Sequence, residues 1–291
     1  MDWIMSNQPT LQEKLRQVET MLVGFERVIV AFSGGVDSTL LAKLARDVLG
    51  KAGVLAVTAN SPSLAQTDLE EACRLAHLLD VEHLVLNTAE VDNPAYRANS
   101  TLRCYLCKHE LFACLTRLAH ERAIPTILYG AIGDDLREER PGSFAASEYG
   151  VRAPLQEAGL SKPEVREAAG QLGLPNWNRP QNACLSSRVP RGLEVTVEKL
   201  HTIERAEACL VELGFRQVRV RHLGTHARIE VDKEDVSRFR DPALSRYVSE
   251  QLAALGFHTV GVNRDGYRPG GADQRATEEL PLVTSDEKHP S

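Results

Sequence analysis

The chain has 291 residues, 43% apolar and 25% charged, the balance of a soluble globular protein large enough for one large or two modest domains. Its 34 Lys and Arg against 40 Asp and Glu leave a formal charge of −6, which argues against a nucleic-acid or membrane-surface partner. No apolar run approaches the roughly 18 residues a membrane span needs. Met1 to Thr20 also lacks the basic-then-apolar plan of a signal peptide, so a cytoplasmic, reducing home is expected. In that compartment the six cysteines, at positions 73, 104, 107, 114, 184 and 209, read as reactive, metal-binding or buried rather than disulfide-paired.

In chain order, Arg27 to Phe32 is a short β-rich run ending at a glycine pair, and a helix over Ser38 to Gly50 follows with Leu40, Leu41, Leu44, Ala45 and Val48 on one face. A strand at Val54 to Thr58, a helix from about Ala65 to Leu79 and a strand at Leu84 to Leu86 come next. Cys107 to Arg122 reads as a helix and Thr126 to Ala131 as a further strand. Strands separated by helices of this length predict βαβ units, hence an α/β doubly wound parallel sheet covered on both faces. Gly130 to Arg191 is irregular apart from a helix at Pro163 to Leu172, with Ser161 as N-cap.

A smaller C-terminal α+β domain is expected from about Val195. It comprises a helix at Thr196 to Leu213, strands at Gln217 to His222 and Ala227 to Val231, helices at Lys233 to Phe239 and Ala243 to Leu255, and a strand at His258 to Val262. The expected organisation is therefore 10–190, 195–268 and a flexible tail over 269–291.

Strand, then Ser33-Gly34-Gly35-Val36-Asp37-Ser38, then helix is an arrangement with a mechanism. Gly34 and Gly35 lack Cβ atoms, so backbone N–H groups can close around phosphate oxygens, and the next helix presents its positive end to the same anion. Ser33 and Ser38 add hydroxyls, and Asp37 is placed to hold the Mg2+ of a triphosphate. The Gly-Lys-Ser/Thr ending of the mononucleotide P-loop is absent. The bland alternative is a glycine turn capping a helix.

The hexapeptide resembles the PP-loop of the N-type ATP pyrophosphatases, which split ATP to AMP and pyrophosphate. The resemblance implies an adenine nucleotide alpha-hydrolase-like fold and ATP at the carboxyl ends of the strands. Val57 to Asn60, Thr58 included, would then lie near adenine, and Gly130 with Asp134 and Asp135 would face the same crevice.

Cys104 and Cys107 form a C-x-x-C in Arg-Cys-Tyr-Leu-Cys-Lys, and Cys184 lies in the irregular segment. With no second pair a four-thiolate zinc site is disfavoured. Three thiolates suit an iron–sulfur cluster with one open iron, whereas Cys184 alone can act as nucleophile or sulfur carrier, its thiolate favoured by Arg188. Cys73, Cys114 and Cys209 fall on apolar helix faces and are expected to be small buried hydrophobes.

Together, the PP-loop, R-C-Y-x-C-K, the Asp-Asp…Arg-Pro-Gly stretch from Gly130 to Gly142, C-L-S-S-R and a terminal Gly266-Tyr267-Arg268 look like the sulfur transferases of nickel-pincer cofactor synthesis, which serve lactate racemase. The likeness runs from about residue 10 to 270. It implies a nicotinate-derived mononucleotide substrate, pyridinium-3,5-biscarboxylic acid mononucleotide, and a homo-oligomer, a hexamer being the form the likeness points to, with no nucleic acid or membrane partner. It also implies two modes of sulfur delivery, a [4Fe-4S] cluster on Cys104, Cys107 and Cys184, or sacrifice of the Cys184 sulfur. The ultimate sulfur donor is not specified. Where the family pattern carries Asp, this chain has Asn263.

Arg219 and Arg221 alternate with Val218 and Val220, and a convergent Arg pair suits a phosphate monoester. The bland alternative is a solvated edge strand. The resemblance places a phosphate site on Arg219, Arg221 and Ser187, with Glu207 and Glu230 as polar or metal-associated residues nearby. A tRNA 2-thiolation enzyme is the main rival, followed by an ammonia-using ligase and a non-catalytic nucleotide sensor.

Overall fold

The computed structural model describes residues 9–137, 141–180, 182–268 and 278–282. Among these, the helices are α1 (Leu11–Val23), α2 (Val36–Leu49), α3 (Gln66–Leu78), α4 (Pro94–Arg97), α5 (Arg103–Glu121), α6 (Pro141–Glu148), α7 (Pro154–Glu157), α8 (Lys162–Gln171), α9 (Val197–Glu212) and α10 (Pro242–Ala254). The strands are β1 (Val28–Ala31), β2 (Val54–Asn60), β3 (Glu82–Asn87), β4 (Thr126–Tyr129), β5 (Val218–Leu223), β6 (His226–Val231), β7 (Thr259–Asn263) and β8 (Glu279–Pro281). The chain divides into two units, Met1–Glu90 with Cys104–Asn182, and Val91–Arg103 with Ala183–Ser291.

The first unit is the expected α/β sheet. Its four strands run parallel in the order β3-β2-β1-β4. Alternate residues of the strands face opposite cores, as a parallel sheet covered on both sides requires. Val28, Val30, Val54 and Ala56 pack with Leu40 and Leu41 of α2 and Val165 of α8. Ile29, Leu55, Val57 and Ile127 pack with Phe112 and Leu115 of α5. The segment expected to be largely irregular contributes α6 and α7 as well as α8.

The second unit has a mixed sheet, β5-β6-β7-β8, in which β6 and β7 are parallel and the outer pairs antiparallel. Val220, Ile229, Val248, Leu252 and Val262 form its core with Phe215 stacked on Phe239. Lys233–Arg240 is a 3-10 helix rather than an α-helix; only Phe239 of it is buried. Within the stretch expected to be a flexible tail, Glu279–Pro281 pairs with β7 and Leu282 enters the core, while 269–277 and 283–291 lie outside the described residues.

Two glycines set how closely elements approach. Gly34 has φ +70°, and a Cβ there would lie 3.0–3.2 Å from Ala72 of α3. At Gly130, just past β4, a Cβ would fall 2.8 Å from Ser38 N and 3.0 Å from its Cα. Both obstacles are backbone and cannot swing aside. Gly130→Ala should lower stability by about 1–3 kcal/mol through overpacking, read as an earlier denaturant midpoint with unchanged slope.

Candidate functional site

The strand order places the reversal point between β1 and β4: the chain moves outward from β1 to β3, then returns to β4 on the other side of β1. Crevices at such points, outside the carboxyl ends of the strands, are the usual ligand sites of open α/β sheets. Here a cleft of ≈ 420 Å³ opens, and Ser33, Asp37, Ser38, Val57, Thr58, Gly130, Asp134, Asp135, Lys108 and Lys162 are among its lining residues.

β1 runs on through Phe32, whose N–H donates to Val57 O, and the loop begins at Ser33. Ser33 N donates to Ser38 Oγ at 3.2 Å, Gly35 N to Ser33 Oγ at 3.3 Å, and Ser38 Oγ to Gly35 O at 3.1 Å. Gly35 is the N-cap of α2 without a side-chain cap, so the first-turn N–H groups from Val36 onward depend on another acceptor. An anion suits that end of the helix. The buried Asn176 donates to Gly34 O and to Thr39 Oγ1, both at 3.0 Å, pinning the loop carbonyl to α2.

Asp37 receives Lys162 Nζ on both carboxylate oxygens, at 2.8 and 2.7 Å. Burial pushes the Asp37 carboxyl up, against the pull of the Lys162 ammonium and with a further push from Asp135. Asp134 accepts from Lys162 N at 2.7 Å and Asp135 from Ile132 N at 3.0 Å, so both shape the cleft wall. Thr58 is buried and donates to Phe32 O at 2.7 Å while His83 Nε2 lies 2.8 Å away. Lys108, next to Cys107, lies over the rings of Phe112 and Tyr129 at 5.6 and 5.8 Å. Arg140 of the Arg-Pro-Gly stretch lies outside the described residues.

Lys162 and Asn176 were not singled out from sequence. One signal existed for Lys162: a lysine in the first turn of a helix opposes the macrodipole and calls for a local carboxylate. Asn176 left none, because its partners are more than 130 residues away in the chain.

In the second unit the solvated-edge reading of β5 fails. Arg219 is 7% exposed and Arg221 4%. Cross-strand register sets Arg219 opposite Glu230 and Arg221 opposite Arg228. Glu230, also buried, takes Arg221 Nε and Nη2 on one oxygen at 3.0 and 2.7 Å, and Arg228 Nε lies 3.3 Å from the other. Arg221 Nη1 reaches Ser187 O at 3.1 Å. Arg219 lies over the Tyr267 ring at 5.3 Å, and burial together with the Arg188 guanidinium holds it below the ordinary arginine range. Arginine does not give up its proton, so two guanidinium groups held together away from water, Arg219 and Arg188, make a place suited to an anion. Asn263 Oδ1 accepts from Asp265 N at 3.0 Å, a job an aspartate oxygen would do as well, so the turn before Tyr267 tolerates the exchange.

Cys104 is exposed and Cys107 half-buried in the first turns of α5; Cys184 is exposed, immediately before the 3-10 turn Leu185–Arg188. Cys104 and Cys107 belong to the first unit and Cys184 to the second. The donor set of three free thiols fits an iron–sulfur cluster in kind, though among the described residues no three His, Cys, Asp or Glu side chains converge as a metal-binding group. Arg188 donates to both oxygens of Glu207 and to the main-chain carbonyl of Cys184. The other cysteines correct an expectation: Cys73 is exposed, one position off the buried Ala72 face, and Cys114 and Cys209 are half-buried.

Lys162→Met removes an ammonium that lowers the Asp37 pKa and leaves the burial that raises it. A carboxylate serves a cation only when ionised, so if Asp37 holds one, the acid limb of pyrophosphate release from ATP should move to higher pH. At neutral pH the rate should fall by about 10²-fold; pyrophosphate assays across pH check both.

Residues 10–110 match the NAD synthase family model. An uncharacterized protein of Synechocystis sp. is 45% identical over 261 residues, 89% of this chain and 97% of that relative. The pyridinium-3,5-bisthiocarboxylic acid mononucleotide synthase of Lactiplantibacillus plantarum is 36% identical over 270 residues, 92% of this chain and 96% of its own length. A tRNA-specific 2-thiouridylase of Parvibaculum lavamentivorans is 34% identical, but across 68% of this chain and 58% of that protein. Near-full-length identity on both sides, on the fold and loop described above, carries the assignment: the chain is an enzyme of the PP-loop ATP pyrophosphatases and belongs among them to the family of the pyridinium-3,5-bisthiocarboxylic acid mononucleotide synthases.

Proposed function

We propose that this enzyme is an ATP-dependent sulfurtransferase that converts the carboxylates of pyridinium-3,5-biscarboxylic acid mononucleotide to thiocarboxylates. The observation that carries the substrate class is the buried arginine group of β5 and β6. Arg219, Arg221 and Arg228 face a single buried strand carboxylate, Glu230, and the surplus positive charge fits the phosphate monoester of a mononucleotide. The near-full-length likeness to the named synthase supports the same substrate.

The first half of the chemistry falls to the cleft of the first unit. A carboxylate is a poor electrophile without a leaving group, so its oxygen attacks the α-phosphorus of ATP and pyrophosphate departs, leaving an acyl adenylate. The uncapped main-chain N–H groups at the start of α2, from Val36 onward, neutralise charge on the phosphates, and Lys162 adds an ammonium. Asp37 is the residue to hold Mg2+, which when bound offsets triphosphate charge. Thr58 and Gly130 shape the nucleotide cleft, with Asp135 on its wall. Sulfur then displaces AMP at the acyl carbon and a thiocarboxylate remains, one ATP per carboxylate.

For the sulfur we assign Cys104, Cys107 and Cys184 as ligands of a [4Fe-4S] cluster. When bound, the cluster supplies an open iron for a non-protein sulfide. This reading uses all three thiols of the two motifs, whereas sacrifice of the Cys184 sulfur leaves Cys104 and Cys107 without a task. A cytoplasmic homo-oligomer, hexameric as the family likeness implies, belongs to the same proposal, and sedimentation tests it.

Protein purified without oxygen should contain iron and acid-labile sulfide. Cys104→Ala, Cys107→Ala and Cys184→Ala should each lower thiocarboxylate formation by about 10²-fold or more while pyrophosphate release continues. A colourless protein in which Cys104→Ala keeps full turnover and Cys184 loses hydrogen sulfide would establish the sacrificial mode instead. Salt-sensitive tRNA binding with thiolated tRNA as product would overturn the substrate assignment.

A further inference from the structure

The turn that bears Cys184 is braced from several sides within the second unit, while Cys184 itself stays exposed. Tyr96 of α4 meets Ser186 Oγ at 2.7 Å, and Arg103 donates to Ser186 O at 2.8 Å. Ser187 N closes the turn on Cys184 O at 2.9 Å, and Val189 N on Ser186 O at 3.2 Å. Two further braces have an energetic character of their own. Arg188, with only 1% of its side chain exposed, donates Nε and Nη2 to the two oxygens of Glu207 at 2.9 and 3.0 Å. Its Nη1 donates to the carbonyls of Ala183 and Cys184, the latter at 3.0 Å, and to Ser187 Oγ at 3.2 Å.

Glu207, on α9, does a second thing. Its Oε1 also accepts from Val220 N at 2.9 Å, in the middle of β5 and between Arg219 and Arg221. Arg221, in turn, donates to Ser187 O. The turn that carries the thiol and the strand that carries the phosphate-binding arginines are thus joined twice, once through Arg188–Glu207–Val220 and once through Arg221–Ser187.

We propose that Arg188 and Glu207 are positioning residues that hold the Cys184 turn in fixed register with β5, so that a mononucleotide gripped by its phosphate presents its carboxyl carbons at a set distance from the Cys184 sulfur. A flexible turn would have to search for the acyl adenylate, and an adenylate left waiting is lost to water. A bidentate guanidinium–carboxylate pair with two carbonyls on the remaining nitrogen fixes a loop as a lysine cannot, because the ammonium lacks the planar fork. The proposal rests on the sulfur-transfer reading for its purpose and on geometry alone for the brace.

The test uses the full chain with Arg188→Lys and, in case that variant fails to fold, Glu207→Gln, which keeps the side-chain shape and an oxygen for Val220 N. Amide hydrogen exchange at Ser187 and Val189 should accelerate by about tenfold or more in either variant, with exchange in β1 unchanged. Pyrophosphate release should stay within about twofold of wild type, while thiocarboxylate formed per pyrophosphate falls by about tenfold or more. Wild-type exchange at Ser187 and Val189 in both variants would overturn the brace. Faster exchange with an undiminished thiocarboxylate-to-pyrophosphate ratio would overturn its positioning role. Faster exchange in variants of a wild-type protein that makes no thiocarboxylate would sink the sulfur-transfer reading and leave the brace standing.

Discussion

How closely β4 can approach the start of α2 governs the nucleotide half of this enzyme. The reversal of strand order brings Gly130 so close to the backbone of Ser38 that a Cβ there would lie 2.8 Å from Ser38 N, nearer than any ordinary contact allows. That closeness makes β1, β4 and the PP-loop three walls of one crevice instead of neighbours on a flat edge. Gly34 serves the same end from the other side, turning with φ +70° under α3. Asn176 then fixes its carbonyl, so the direction of the loop N–H groups is settled by packing before any ligand arrives. Asp37 inherits its position from α2 and its unusual electrostatics from the depth that this packing produces.

In the second unit the organising quantity is charge. Four arginines at positions 188, 219, 221 and 228 are buried, with Glu207 and Glu230 as their carboxylate partners. Leaving a buried charge without its partner costs several kcal/mol, so each of these carboxylates is structurally committed. A metal-associated role for Glu207 or Glu230, considered from sequence, has to compete with those commitments. Glu207 in particular is already shared between a guanidinium and a strand amide.

Local features were readable in the chain and distant ones were not. Ser33 to Ser38 announces itself because strand, glycines and helix are contiguous, and the βαβ alternation gave the parallel sheet for the same reason. α1 carries a local signal as well, since Thr10 and Glu13 form a capping box at its start. The arginines of β5 were legible as a pair, yet their burial was not: alternation implies one wet face, whereas β5 is covered on both. Cys73 stands a single helical position from the buried Ala72, and on a helix one position is enough to move a side chain from core to solvent. Lys162, Asn176 and the Arg188–Glu207 pair act across 19 to 142 residues of chain, and no spacing rule connects such partners.

Strand β8 bears on how this chain can be handled. Composition past Arg268 invites truncation, yet Glu279–Pro281 covers the outer edge of β7, Glu279 meets His226, and Leu282 sits in the core. Cutting at 268 would strip β7 of its neighbour and leave a row of unpaired backbone donors and acceptors beside newly wetted Val260 and Val262. An open edge of that kind recruits strands from other molecules. The shortest well-behaved form of the protein therefore runs at least through Leu282, and a shorter one would report on self-association before it reported on catalysis.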